Sequence, residues 1–244
     1  LVAALDAYEG AVDDLGELGP AAKAAVPALE RKLAGESRPR ARIAIGLCLH
    51  RVSSGSRGGR TLVTGLVHAD GCVRQDAAEA LGRLGSAARG TVSSIEPLLK
   101  DREPEVRLAA AEALWRITGN TGASVAAIGQ MLRHPAWHIR RNAADQLAEM
   151  GPAAAGAVPE LRELLEAGLK ENLSYCEEDT LRAAAEALGK IGPAAGDAAP
   201  VLEELLCSDT CLYVRRAAAK ALAKIKRARD GNPGVDEDNQ RSPR

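Results

Sequence analysis

The sequence contains no phenylalanine, and aromatic residues make up 2% of its 244 positions. Strands favour aromatic and β-branched side chains, so this supply gives a β-sandwich little to be built from. No apolar run approaches the roughly 18 residues that a membrane-spanning helix needs. Neither sign of charge dominates, with 32 Lys and Arg against 33 Asp and Glu. A dedicated nucleic-acid binder is usually strongly basic, so nucleic acid is not the expected partner. No signal peptide is visible, although the chain opens at Leu1 rather than Met and the expectation is a fragment of a longer protein.

The motifs of catalysis are missing as well. There is no GxxxxGK phosphate loop and no GxSxG elbow. The nearest glycine-rich stretch, SSGSRGGRT from Ser53 to Thr61, lacks both a preceding strand and the lysine, and reads as a loop opening a helix. Four histidines are thinly spread. Zinc needs three or four ligands. Pro135 spoils the helix face that His134 and His138 would share, and Cys207 and Cys211 have no evident partners. The expectation is no catalytic residue, no metal and no cofactor. The five cysteines, Cys48, Cys72, Cys176, Cys207 and Cys211, form an odd and scattered set. Such a set reads as reduced thiols in a cytosol-like compartment, most of them packed as small hydrophobes, Cys207 among them.

What is present is alanine, leucine and charge in a helical rhythm. Alanine is the best helix former and Leu, Lys, Arg and Glu follow it closely. The segment CVRQDAAEALGRLG, from Cys72 to Gly85, recurs from Glu105 to Gly119, His138 to Gly151, Thr180 to Gly192 and Tyr213 to Ile225. Degenerate copies precede it at Ala41 to Val52 and Tyr8 to Gly19. With the Arg of the VR pair as anchor, small or apolar residues follow at +3, +4, +7 and +10: after Arg74 come Ala77, Ala78, Leu81 and Leu84. This is the stripe of an amphipathic helix. The anchors Tyr8, Arg42, Arg74, Arg107, Arg140, Leu181 and Arg215 lie 32 to 34 residues apart, with one gap of 41.

A second helix precedes each anchor. Gly19-Pro20, Gly151-Pro152 and Gly192-Pro193 end one helix and open the next. Glycine suits a left-handed helix C-cap and proline suits the first helical turn. Pro27, Pro159 and Pro200, eight residues after those glycines, should kink the second helix or delay its onset. Each repeat is therefore helix A, a loop and helix B. The fold class expected is all-α, an α-α superhelix of about six and a half helix pairs.

The residues GPAA, VPxL, an acidic loop and VRxxAAxALxxIG resemble the HEAT-repeat family, in the short bacterial form named after phycobilisome lyases (the PBS lyase type). The resemblance spans roughly Leu1 to Ile225 and implies an α-solenoid domain of residues 1–225 whose first repeat is incomplete; residues 226–244, rich in Pro, Gly and charge without apolar periodicity, are expected to form a polar, disordered tail or linker. The resemblance also implies a hydrogen-bonded ladder of loop acids and anchor arginines: Asp101 six residues before Arg107, Asp209 before Arg215 and Glu36 before Arg42. His68 and His134 replace the acid before Arg74 and Arg140, which interrupts it. Members that are iron-dependent hydroxylases use His-Glu pairs, and this sequence has no His-Glu dipeptide. Members that are glycosylases use aromatic side chains in a basic groove, which are scarce here.

In such solenoids the B helices usually line the concave face. Position +9 carries Arg51, Arg83, Arg116, Lys190 and Lys224, and position +5 carries Asp13, Glu79, Glu112, Asp145 and Glu186. Acid-first i, i+4 pairs such as Glu79 with Arg83 and Glu112 with Arg116 support the helix. Trp115 at +8 stands where other repeats have Gly16, Gly82, Gly189, Ala148 and Ala223. It is either an exposed anchor or a filler between repeats. Trp and Arg are enriched at binding hot spots. The surface expected to hold a protein or peptide therefore comprises Leu108, Trp115, Arg116, Arg83 and Arg141. Trp137 is expected to pack on the loop ridge.

Two further features complete the reading. The long gap contains EAGLKENLSYCEEDT, Glu166 to Thr180, a candidate surface insertion in which Arg182 slips one place from the anchor. The last B helix is basic, with Arg215, Arg216, Lys220 and Lys224 and no acid between them. That suits an acidic partner or nucleic acid, or a helix end complementing its own dipole. The function expected is a cytoplasmic protein-interaction scaffold and not an enzyme. The alternatives are an accessory or lyase-type subunit handling a tetrapyrrole, and nucleic-acid binding through the basic end.

Overall fold

In the computed structural model, residues 10–53, 56–170, 175–208 and 210–229 are described. The anchor Tyr8 with the rest of residues 1–9, Asp209 and the tail from 230 onward lie outside them. The helices alternate as the repeats require. The first compact unit, Leu1–Ala127, holds α1 (Ala11–Leu18), α2 (Val26–Gly35), α3 (Pro39–Ser53), α4 (Ser56–Gly65), α5 (Gly71–Leu84), α6 (Val92–Ile95) and α7 (Pro104–Thr118). Helix α8 (Gly122–Met131) follows. The second unit, Ile128–Arg244, holds α9 (Trp137–Met150), α10 (Val158–Gly168), α11 (Tyr175–Ile191), α12 (Ala199–Cys207) and α13 (Leu212–Arg229). Odd numbers are B helices and even numbers are A helices. Helix α13 runs four residues past the expected solenoid end at Ile225. No helix among the described residues is long and apolar enough to cross a membrane.

The glycine and proline signals act where the sequence puts them. Gly19, Gly85 and Gly151 close B helices at φ of 52°, 55° and 57° with ψ near −130°, a region open essentially only to glycine. The chain then runs through a short 3-10 segment, Gly19–Ala25, Gly151–Ala157 or Gly192–Ala198. The α-helical part of helix A starts only at Val26, Val158 or Ala199, with Pro27, Pro159 or Pro200 in its first turn. Proline lacks the N–H that a helix interior needs but loses nothing in the first turn, so here it delays onset and does not kink.

In the first unit the core is a pair of apolar layers on either side of α3. Ile45, Cys48, Leu49 and Val52 pack with α1 and α2 around Leu15, Leu29 and Leu33. Ile43 and Leu47 face the other way, into the layer with Leu62, Leu66, Ala77, Leu81 and Ile117. Burial also raises the Cys48 thiol to about 11, so this cysteine packs as a hydrophobe. The expectation fails for Cys207, which is exposed at the last turn of α12, where its side chain points off the apolar stripe. The stretch Ser53 to Thr61 is mostly helix: Gly58 and Gly59 sit inside α4, and residues 54–55 lie outside the described set. A Cβ on Gly58 would stand 2.5 Å from the Gly46 carbonyl oxygen and 2.7 Å from the His50 nitrogen. These glycines let α3 and α4 touch backbone to backbone.

The anchor arginines hold the loops, although not in the way expected. Four of them give Nη1 to the main-chain carbonyl six residues earlier: Arg42 to Glu36 at 2.9 Å, Arg74 to His68 at 2.8 Å, Arg107 to Asp101 at 2.7 Å and Arg140 to His134 at 2.8 Å. The loop side chain turns back on its own loop. Asp101 Oδ1 accepts from Glu103 N at 3.0 Å, and the His68 and His134 Nδ1 atoms accept from Asp70 N at 3.1 Å and Ala136 N at 3.2 Å. Histidine therefore replaces aspartate without interrupting this part. The Asp101 carboxylate goes to the arginine of the preceding repeat: Arg74 Nε and Nη2 donate to it at 2.8 and 2.7 Å. The Glu36 carboxylate is taken by Arg38 at 3.1 Å. The ladder is thus a carbonyl grip within a repeat and, at Arg74, a bidentate bridge between repeats.

The insertion is partly helix. Residues Tyr175 to Thr180 extend α11 by more than a turn ahead of Leu181, while 171–174 lie outside the described residues. Thr180 is fully buried. Glu177 reaches Arg140 at 3.9 Å, and Glu178 accepts from Cys211 N at 2.8 Å. The described part of the insertion thus ties neighbouring loops together.

Two stability predictions follow. Gly58→Ala should cost about 1–3 kcal/mol by forcing two backbones apart, whereas Gly90→Ala, which meets nothing within 4 Å, should gain about 0.4–1 kcal/mol; urea unfolding distinguishes them. The Arg74 guanidinium also lowers the Asp101 carboxyl below its ordinary range. A carboxylate with a depressed folded-state pKa stabilises above its unfolded value and loses that contribution as pH falls through the folded one. Unfolding free energy should therefore drop from about pH 5 downward in the wild type, and more shallowly in Asp101→Asn.

Candidate interaction surface

The B helices carry their charge in linked rows. On α5 the Gln75 side chain donates to Glu79 at 2.9 Å, and Glu79 lies 3.8 Å from Arg83. On α7 Glu112 and Arg116 pair at 2.7 Å. In the second unit Arg141 stands between Asp145 at 3.6 Å and Asp179 at 2.9 Å. Arg182 holds Asp179 through Nε at 2.9 Å and Nη2 at 2.7 Å, and Glu186 through Nη1 at 2.8 Å. The slipped arginine thus occupies the +1 place of Arg141 and does the same work. Burial raises the Asp145 carboxyl above its ordinary range despite Arg141 and Arg182 nearby, because desolvation outweighs their attraction.

Leu108 does not belong to this surface: it is 2% exposed. Position +1 is not outward in every B helix, since Ile43 at the same place in α3 is part of the core shared with α4 and α5. Position +8 is also not open. A Cβ on Gly82 would lie 3.0 Å from Ala113 Cα, and one on Gly189 would lie 2.9 Å from Ala221 Cα. The +8 residue faces the +6 residue of the next B helix, and small residues let the two helices close. Trp115 at this position is half-buried, as is Arg141, while Arg83 and Arg116 are exposed.

On α13, Arg215, Arg216, Lys220 and Lys224 are all exposed, and none has an ion pair among the described residues. Beside them stand two exposed apolar residues that pattern reading missed, Leu212 at 57% and Tyr213 at 67%. They precede the apolar stripe of their helix, which was the available signal. Trp137 is likewise 38% exposed at the first turn of α9 and stands edge-on to His138. Among the described residues no three His, Cys, Asp or Glu side chains gather as a metal would require.

Alternating A and B helices, several closed by glycine and four of them tied to their loops by an anchor arginine, define an all-α solenoid. The chain belongs to the HEAT-repeat family, whose model, described as HEAT repeats, matches residues 59–126, 92–172 and 166–233. Among solved structures the chain is similar to an engineered protein from the Northeast Structural Genomics Consortium. The two are 25% identical with a TM-score of 0.54, over 90% of this chain and 98% of that one. No curated protein matches it. A HEAT-repeat scaffold commonly serves protein interaction and is typically non-catalytic.

The raised Asp145 carboxyl makes a prediction of opposite sign to Asp101. A carboxylate whose folded-state pKa lies above its unfolded value costs stability once both are ionised. Asp145→Asn should therefore leave the thermal midpoint at neutral pH unchanged or higher. A midpoint several degrees lower, measured by calorimetry, would show that the pair with Arg141 outweighs burial.

Proposed function

We propose that this chain is an interaction scaffold that holds a peptide or a protein domain on B helices of its first unit, around Trp115, Arg116 and Arg83, with Arg141 a separate candidate contact on the second unit. One observation carries this reading: rows of solvent-facing ion pairs flank a half-buried tryptophan at a position that is Gly or Ala in five other B helices and His50 in α3. Exposed ion pairs add little to stability in the free protein, so a partner's charges exchange with them at small cost. Trp and Arg supply most of the energy at typical interfaces. Leu108 drops out because it is buried. The reading needs no cofactor and assigns no catalytic residue. The GPAA and VRxxAAxALxxIG motifs support reading the repeats as the short PBS lyase type.

A second reading rests on the four unpaired cations of α13. They suit a nucleic-acid backbone, whose binding weakens steeply with salt because condensed counterions are released. Binding of duplex DNA or RNA that is lost as salt rises, and lost in Lys220→Gln/Lys224→Gln, would support it; no binding at low salt would end it.

The principal test is capture of partners from the source organism's lysate on wild type beside Trp115→Ala, followed by titration of the captured protein. Truncating the tryptophan should weaken binding by about 2 kcal/mol, roughly thirtyfold. Equal affinity in the two proteins would remove Trp115 from the site.

A further inference from the structure

Between Ser37 and Ala69 the sequence holds six arginines and two histidines without one carboxylate. Folding neutralises part of this charge, since Arg38 pairs with Glu36 and Arg40 with Asp76. Arg42, Arg57, Arg60 and His68 line one cleft of about 610 Å³ between α3 and α4, and no carboxylate is among its lining residues. The glycine contact of α3 and α4 brings the arginines of both helices to the same opening.

Arg42 is the centre of the cleft. Its Nη1 is fixed by the carbonyls of Leu33 and Glu36, both at 2.9 Å. One repeat later Arg74 has the same grip, and its Nε–Nη2 edge holds the Asp101 carboxylate at 2.8 and 2.7 Å. Asp101 stands six residues before the next anchor, and the residue at that place for Arg42 is His68. No carboxylate stands at that place in the repeat, and the Nε–Nη2 edge of Arg42 donates to no group among the described residues. Because His68 Nδ1 accepts from Asp70 N at 3.1 Å, its Nε2 carries the proton and is a further donor. Arg57 lies 3.8 Å from Glu30 with both side chains about half exposed, a pair weak enough to yield to a stronger anion.

We propose that this cleft binds a phosphate monoester, with two of its oxygens on the Nε–Nη2 edge of Arg42, its charge met by Arg57 and Arg60, and a further hydrogen bond donated by His68 Nε2. A planar guanidinium edge fits carboxylate and phosphate oxygens alike. Three arginines match a dianion better than a single carboxylate. The site shares no residue with the B-helix surface, so each reading stands or falls by itself.

Calorimetric titration of the full chain in low-chloride buffer tests it. The probes are inorganic phosphate, O-phosphoserine, a phosphoserine pentapeptide and the same peptide with serine. At least one phosphomonoester should bind at one site per chain, and the serine peptide should not. Tighter binding of the phosphopeptide identifies a peptide as the source, and equal binding identifies a small phosphorylated molecule. His68→Asp places the ladder carboxylate against Arg42 and should weaken binding at least tenfold, as should Arg57→Gln/Arg60→Gln, both with unchanged circular dichroism. The double variant changes only exposed side chains and keeps the test valid should His68→Asp fold poorly. Binding that survives in either folded variant, uptake without saturation, or no binding of any phosphomonoester would overturn the proposal.

Discussion

The structure depends on one repeated contact, a guanidinium Nη1 donating to the carbonyl six residues before it. A loop between two helices leaves main-chain carbonyls near the start of helix B, and buried or half-buried carbonyls need donors. Arg42, Arg74, Arg107 and Arg140 supply them. The acceptors are backbone atoms, so the loop side chain is free to vary between Glu, Asp and His without loss of the grip. The other edge of the guanidinium is then available for a second task. Arg74 uses it to hold the next repeat through Asp101, and Arg140 lies near Glu177 of the insertion. The bridge of Arg74 to Asp101 is mostly shielded from water, at 9% and 12% side-chain exposure. It therefore matters more than the surface pairs on the B helices.

The second constraint is close approach. Without phenylalanine the layers are filled by Ala, Leu, Ile and Val, and the helices compensate by approaching one another. Gly82 on Ala113 and Gly189 on Ala221 bring B helices together, and Gly46 with Gly58 does the same for α3 and α4. Tight packing of small side chains leaves the exposed face to long charged residues, and these pair along and between helices. The binding face proposed for the scaffold is a consequence of how the core is filled.

Much of this was legible from sequence because it is local. The 3.6-residue stripe after each anchor, glycine at the end of helix B and proline at the delayed start of helix A are all decided within a few residues. The failures are the features decided by neighbours. Leu108 and the +8 position lie off the stripe of their own helix, yet Leu108 is buried and the next B helix closes on Gly82 and Gly189. The resemblance implies a ladder of loop acids and anchor arginines, and only the folded loop shows that the Asp101 carboxylate meets Arg74 of the preceding repeat. The insertion near Thr180 reads as a loop by its length, but the turn ahead of Leu181 is helical and its Thr180 is buried. The cleft at Arg42 had a signal in sequence, an acid-free run and a histidine at an aspartate position. That signal acquires meaning only once the Arg74–Asp101 bridge shows what occupies the same place one repeat on.

Native-state hydrogen exchange on Arg74→Met tests the central claim most directly. Arg74 is held to join two loops, so protection should fall at Asp70 N in its own loop and at Glu103 N in the next, with the other loops unchanged. Loss confined to Asp70 N, or protection equal to wild type at both amides, would contradict the account of a bridge between repeats.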